Sequence, residues 1–150
     1  MSNWILSLIQ VLLATWFSGV PRLEPATLAQ WQSDGKPVLL IDVRTKREYE
    51  VSHIQGAIRL DQAKEIAQTL HNKPDLSVVV YCSVGARSAV MADKVQRLTG
   101  RSVYNLQGGI FRWVEESRPV FNIQGETPFV DGYGWPWKFL LPSDRRASGM

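Results

Sequence analysis

Residues 77–87 read SVVVYCSVGAR, and their interpretation decides the fold. The run 77-SVVVYC-82 is continuous, apolar and rich in valine, as a strand buried on both faces of a parallel sheet must be. It ends on the only cysteine of the chain. After a short glycine-containing segment, 87-RSAVMADKVQRLTG-100 reads as a helix, with Val90, Met91, Val95 and Leu98 on one face and Gly100 as its C-cap. Strand, tight loop and helix in direct succession are the repeating unit of an α/β domain.

The same alternation extends in both directions. Upstream, Pro25 opens a short helix, Gly35-Lys36-Pro37 breaks it, and 38-VLLIDV-43 is a second buried strand. The charged stretch 44-RTKREYEVSH-53 predicts a short helix, residues 56–60 a brief strand, and 61-DQAKEIAQTL-70 a helix with Asp61 as its N-cap. Downstream, 103-VYNL-106 is a strand and 109-GIFRWVEES-117 a helix. The expected fold class is therefore α/β, a mostly parallel central sheet with helices on both faces. Three segments are expected: an apolar N-terminal helix within 1–21, a domain over 22–121, and a Gly/Pro/aromatic-rich tail over 122–150.

Composition narrows the function classes. The 150 residues carry 17 Lys and Arg against 14 Asp and Glu, a net charge of +3, with no basic run longer than two residues. A nucleic-acid surface would concentrate that charge, so no nucleic-acid partner is expected. A single cysteine excludes an internal disulfide framework and a multi-thiolate metal site, and two isolated histidines (His53 and His71) do not supply the ligands zinc requires. No metal is expected.

Cys82 falls at the carboxyl end of a strand, where open parallel sheets place their ligand sites. Gly85 allows backbone conformations that other residues resist. Successive N–H groups at the following helix N-terminus can form an anion-binding nest, a field that favours thiolate over thiol. Arg87 adds a fixed positive charge able to pair with an oxyanion. The plainer reading, a buried small hydrophobe at a strand end, is outweighed by Gly85 and Arg87.

Cys82-x-x-Gly85-x-Arg87 after an apolar strand resembles the active-site loop of single-domain rhodaneses, sulfurtransferases that carry sulfur as a cysteine persulfide. Two further stretches carry the resemblance: 42-DVRTKREYEVSHIQGAI-58 and 106-LQGGIFRW-113 are similar to the family's signatures in the same order, covering roughly residues 22–118. The family's glycine before the histidine is Ser52 here. Related phosphatases and arsenate reductases resemble a longer Cys-x5-Arg loop, so the shorter loop here implies sulfur transfer.

The resemblance implies that Cys82 is the nucleophile and that Ser83, Val84, Gly85, Ala86 and Arg87 bind the substrate. Ser83 and Ser88 have hydroxyls that either line the pocket or cap the helix. Asp42, Arg44 and Glu48 are expected to form a structural network, with Arg44 and Glu48 paired in helical fashion. His53 is expected to be a turn residue and Trp113 a core residue. The implied chemistry is double displacement from a donor such as thiosulfate to an external thiol or cyanide, with no cofactor. With no second cysteine, the acceptor must come from outside, whether a small molecule or a sulfur-accepting protein. The alternatives are a catalytically idle docking or regulatory module and a sulfur-relay protein serving a partner.

Residues 4–20 lie outside the resemblance. Their apolar residues recur at helical spacing, with Asn3, Ser7, Gln10, Ala14 and Ser18 on the opposite stripe. Seventeen residues at ~1.5 Å each give about 26 Å, slightly short of a ~30 Å hydrocarbon core. The expectation is membrane association, lying in the interface or spanning, with Trp4, Trp16 and Phe17 as an aromatic belt and Trp135, Trp137 and Lys138 docking beside it. If the helix spans, the absence of charge before it and the Lys and Arg after it place the domain on the cytoplasmic side of the membrane; a helix folded back on its own domain in the cytoplasm is the alternative.

Overall fold

A computed structural model describes residues 4–134 and 137–147. Five parallel strands, β1 (Arg22–Leu23), β2 (Val38–Asp42), β3 (Ile58–Arg59), β4 (Ser77–Tyr81) and β5 (Val103–Leu106), form one sheet in the order β1-β5-β4-β2-β3. The connecting helices are α2 (Pro25–Ser33), α3 (Lys46–Val51), α4 (Ala63–Leu70) and α5 (Ala86–Thr99), and α6 (Gly109–Glu115) follows the last strand; α1 (Trp4–Trp16) precedes the first. The expected alternation of strand and helix, and the parallel pairing it implies, are both present.

The two long strands sit at the centre because they are apolar on both faces. Val78, Val80 and Cys82 point into one core with Ile66 and Leu70 of α4 and Ala92 and Val95 of α5. Val79 and Tyr81 point into the other, with Leu28 of α2 and Ile110 and Phe111 of α6. Strand β4 pairs with β2 in a register that sets Tyr81 beside Asp42, and Val43 N–H donates to Tyr81 O at 3.0 Å. The loops that follow the two strands therefore leave the sheet side by side.

Three local expectations need correction. Helix α4 takes Gln62 rather than Asp61 as its N-cap, without a side-chain bond; Asp61 instead pairs with Arg59 at 3.1 Å. Helix α5 does not bury the face marked by Val90 and Leu98, which are 42% and 56% exposed. Its buried residues are Ser88, Ala89, Ala92 and Val95, because small side chains let the helix settle close to the sheet.

The third correction concerns α1. No helix among the described residues is long and apolar enough to cross a membrane, and α1 spans 13 residues. It folds back on the domain through Leu6, Gln10 and Leu13, spaced at three and four residues as one helical face requires. Gln10, on the stripe expected to face away, is 6% exposed, whereas Trp4 and Trp16 are 69% and 72% exposed. The side facing the domain is thus the one that carries the glutamine.

The tail forms a hairpin, β6 (Val120–Asn122) with β7 (Gly125–Thr127), and then returns to the body of the protein. Val130, Leu140 and Leu141 join the core cluster of α6. Trp135 lies outside the described residues.

The corrected face of α5 can be tested by mutation. Ala92→Leu should destabilise the protein by about 1–3 kcal/mol through overpacking, whereas Leu98→Ala, the reverse change of equal size, should stay within ~0.5 kcal/mol because the site is exposed. Urea titrations of the two variants check this; equal losses would place Leu98 in the core.

Candidate active site

The site is built where β4 and β2 end together. Cys82 is 1% exposed, and the chain turns sharply after it. Gly85, at φ 105°, is the N-cap of α5, a left-handed conformation that a Cβ disfavours. The turn brings the Gly85 N–H to 3.1 Å from Cys82 Sγ, to which it donates. Ser88 Oγ lies 3.3 Å from the same sulfur and 2.6 Å from Asn105 Oδ1. With one proton, this hydroxyl donates to one of the two at a time.

A second set of contacts joins the loop to α3. Thr45 caps that helix, and Glu48 closes the capping box by accepting from Thr45 N–H. The same carboxylate takes a fork from Arg87: Nη1 donates to Oε1 and Nη2 to Oε2, both at 2.9 Å. Ser83 Oγ donates to Oε2 at 3.2 Å and accepts from Arg87 Nη2 at 2.9 Å. Burial alone would raise the Glu48 carboxyl; the Arg87 hydrogen bonds and charge outweigh it and bring it from 4.5 down to about 2. The Arg87 guanidinium also stacks on Tyr133, 3.8 Å from the ring centroid.

Asp42 and Arg44 form a separate buried pair. Arg44 Nη2 donates to Asp42 Oδ2 at 2.7 Å, and both side chains are fully buried. Arg44 also donates to Ser52 O at 2.7 Å. The expected Arg44–Glu48 pairing is therefore not formed: Arg44 takes Asp42, and Glu48 takes Arg87. Ser52 is extended, at φ −170°, so the position demands no glycine. His53 places Nδ1 3.0 Å from Tyr49 O and stacks on the Tyr49 ring; it is not the expected turn residue but forms an antiparallel bridge with Phe121, exchanging both backbone hydrogen bonds with it. Trp113 is 3% exposed and donates from Nε1 to Pro119 O.

The loop is also held from outside the strand–helix unit. At the start of α6, the N–H groups of Ile110 and Phe111 donate to Cys82 O and Ser83 O, at 2.9 and 3.0 Å. A Cβ on Gly109 would stand 2.5 Å from Cys82 O and 2.4 Å from Ser83 O, so only glycine permits this approach. Gln10 of α1 donates from Nε2 to Val84 O at 2.7 Å, and Asn105 of β5 donates from Nδ2 to Gly85 O at 3.0 Å.

Cys82, Ser83, Val84, Ala86 and Arg87 line a cavity of about 50 Å³, to whose wall Tyr133 and Trp137 of the tail also contribute. Gly85 is not at its wall; it serves the sulfur through its N–H. Among the described residues, no three His, Cys, Asp or Glu side chains gather as a metal site. Gln10, Asn105, Tyr133 and Trp137 were not singled out for the site by their sequence. Gln10 did carry a signal, the one amide of α1, in phase with Leu6 and Leu13.

Comparison with known proteins identifies the family. The model of the Rhodanese-like domain matches residues 24–116. A sulfurtransferase from Allochromatium vinosum is 34% identical over 107 residues, covering 71% of this chain and 99% of the relative. The probable adenylyltransferase/sulfurtransferase MoeZ of Mycobacterium tuberculosis is 32% identical over 99 residues, 65% of this chain, which spans only 25% of that relative's length. Among solved structures, a thiosulfate sulfurtransferase from Pseudomonas aeruginosa shares the fold with a TM-score of 0.63 at 20% identity, covering 80% of this chain and 23% of that one.

The Glu48 carboxyl sets a pH window. Its folded value lies below its unfolded one, so its stabilisation is complete above pH 4.5 and drains away as pH falls from there towards 2. Acid unfolding followed by circular dichroism should show this loss, and Glu48→Gln should be less stable at neutral pH yet flatter across that interval. An unchanged slope in the variant would show that the Arg87 fork does not hold the carboxylate in solution.

Proposed function

The chain belongs to the rhodanese-like family, and we propose that it transfers sulfane sulfur through a persulfide on Cys82. The observation that carries this reading is the Gly85 N–H held 3.1 Å from a buried Sγ. A donor aimed at the sulfur is what a nucleophilic thiolate and a terminal persulfide both need, since each concentrates negative charge there.

In the first half-reaction the Cys82 thiolate attacks the outer sulfur of a donor such as thiosulfate. The new bond is Sγ–S; the S–S bond of thiosulfate breaks, and sulfite leaves with its electron pair. In the second, an external thiolate or cyanide attacks the terminal sulfur, and the Cys82 thiolate is returned. Atoms and charge balance in both steps, and neither requires a cofactor. The cavity of about 50 Å³ admits the single added sulfur, given that a water occupies ~30 Å³. The sulfonate of thiosulfate would stay at the mouth, beside Tyr133 and Trp137. The sulfurtransferase of A. vinosum, nearly all of which this chain covers, supports the reading.

Cys82→Ser tests it directly. The variant should fold and should show no turnover of thiosulfate, while the parent protein gains the mass of one sulfur on Cys82 when treated with thiosulfate. Full turnover in the variant, or no adduct on the parent, would sink the proposal and favour a docking role for the fold.

Arg87 faces Glu48 as much as the mouth, so its removal should act on the loop rather than on donor charge. Arg87→Ala leaves the Glu48 carboxylate buried and unpaired and should cost about 3 kcal/mol of stability. It should slow anionic and uncharged donors alike, by roughly tenfold. Donor-resolved kinetics check this, and a loss confined to anionic donors would show direct pairing with the substrate.

A further inference from the structure

We infer that Gln10 is a positioning residue for the sulfur site, and that helix α1 thereby forms a working part of it. The inference rests on Cys82 being the reacting group proposed above. In a trans peptide the C=O of one residue and the N–H of the next point in opposite directions. The peptide joining Val84 to Gly85 is held at both ends. Gln10 Nε2 donates to its carbonyl, Val84 O, at 2.7 Å, and its N–H donates to Cys82 Sγ at 3.1 Å. Rotating this plane to satisfy the carbonyl elsewhere would swing the N–H off the sulfur. Gly85, lacking a side chain and sitting at φ 105°, is free to rotate in just this way unless something external fixes it.

Gln10 is that fixture. It is 6% exposed, and its bond to Val84 O spans 74 residues of sequence and is buried. Leu13, one turn further along α1, lies close enough that a Cβ on Gly85 would meet it at 3.5 Å. Asn105 holds the next peptide in the same manner, donating to Gly85 O at 3.0 Å. Asn105 lies within residues 24–116, the match to the family's domain, and Gln10 outside them. The N-terminal helix thus supplies a contact to the sulfur loop that the shared domain does not contain.

The test compares Gln10→Met, which keeps length and packing but removes the donor, with Leu6→Ala, which weakens α1 packing and leaves the donor in place. Cys82 is alkylated with iodoacetamide across pH 7 to 10, thermal melting is recorded, and the thiosulfate half-reaction is followed separately. Gln10→Met should alkylate roughly tenfold more slowly, the worth of one hydrogen bond to a charged group. Its kcat should fall by a similar factor with KM little changed. Leu6→Ala should melt lower than Gln10→Met and alkylate at the parental rate. Parental alkylation by Gln10→Met at every pH, or an equal slowing in Leu6→Ala, would overturn the inference. Alkylation needs no sulfur donor, so a parent protein that forms no persulfide would refute the transfer reading alone and leave the alkylation result to decide Gln10.

Discussion

The carboxylate of Glu48 is the point on which the site turns. It closes the cap of α3 through Thr45 and receives the fork of Arg87 and the hydroxyl of Ser83. One side chain therefore joins the loop after β2 to the loop after β4. This is possible only because the two strands are neighbours in register, Asp42 beside Tyr81, so the following loops emerge together. A buried carboxylate without partners would be costly. Here its partners are the residues that shape the turn around Cys82, and stabilising the charge is the same act as fixing the loop.

Most of this was legible from the chain because the controlling signals are local. The runs at 38–43 and 77–82 are apolar without alternation, and both became central strands. Cys82, Gly85 and Arg87 lie within one turn of chain, and their spacing alone placed a thiol at a helix start. What sequence could not give was the choice between partners at similar spacing. Arg44 stands four residues before Glu48, the helical distance, yet Arg44 precedes α3 and turns back to Asp42, while Glu48 reaches Arg87, 39 residues away. Periodicity ranks faces by hydrophobicity, and α5 shows where that fails: the face turned to the sheet is the one carrying Ser88, Ala89, Ala92 and Val95, and Leu98 lies off it.

The spanning reading of α1 failed for a related reason. An apolar segment without charge reads as membrane-seeking when its polar residues are taken as the solvent face. In the structure the glutamine is the group that must be buried, since it has a carbonyl to bind, and several of the large apolar residues lie outward. A lone amide at the same helical phase as Leu6 and Leu13 is better read as a buried donor awaiting an acceptor than as a hydrophilic stripe.

The two segments outside the shared domain meet the sulfur loop in different ways. Helix α1 reaches the Val84 carbonyl and so governs the direction of a backbone N–H. The tail brings Tyr133 and Trp137 to the wall of the thiol cavity and sets a ring against Arg87. The first bears on how charge at the sulfur is held, and the second on what can reach it. The tail also meets the scaffold, since Tyr133 lies against the Arg87 that forks Glu48 and Asp131 pairs with Arg47 of α3, so access to the thiol is coupled to the ion pair.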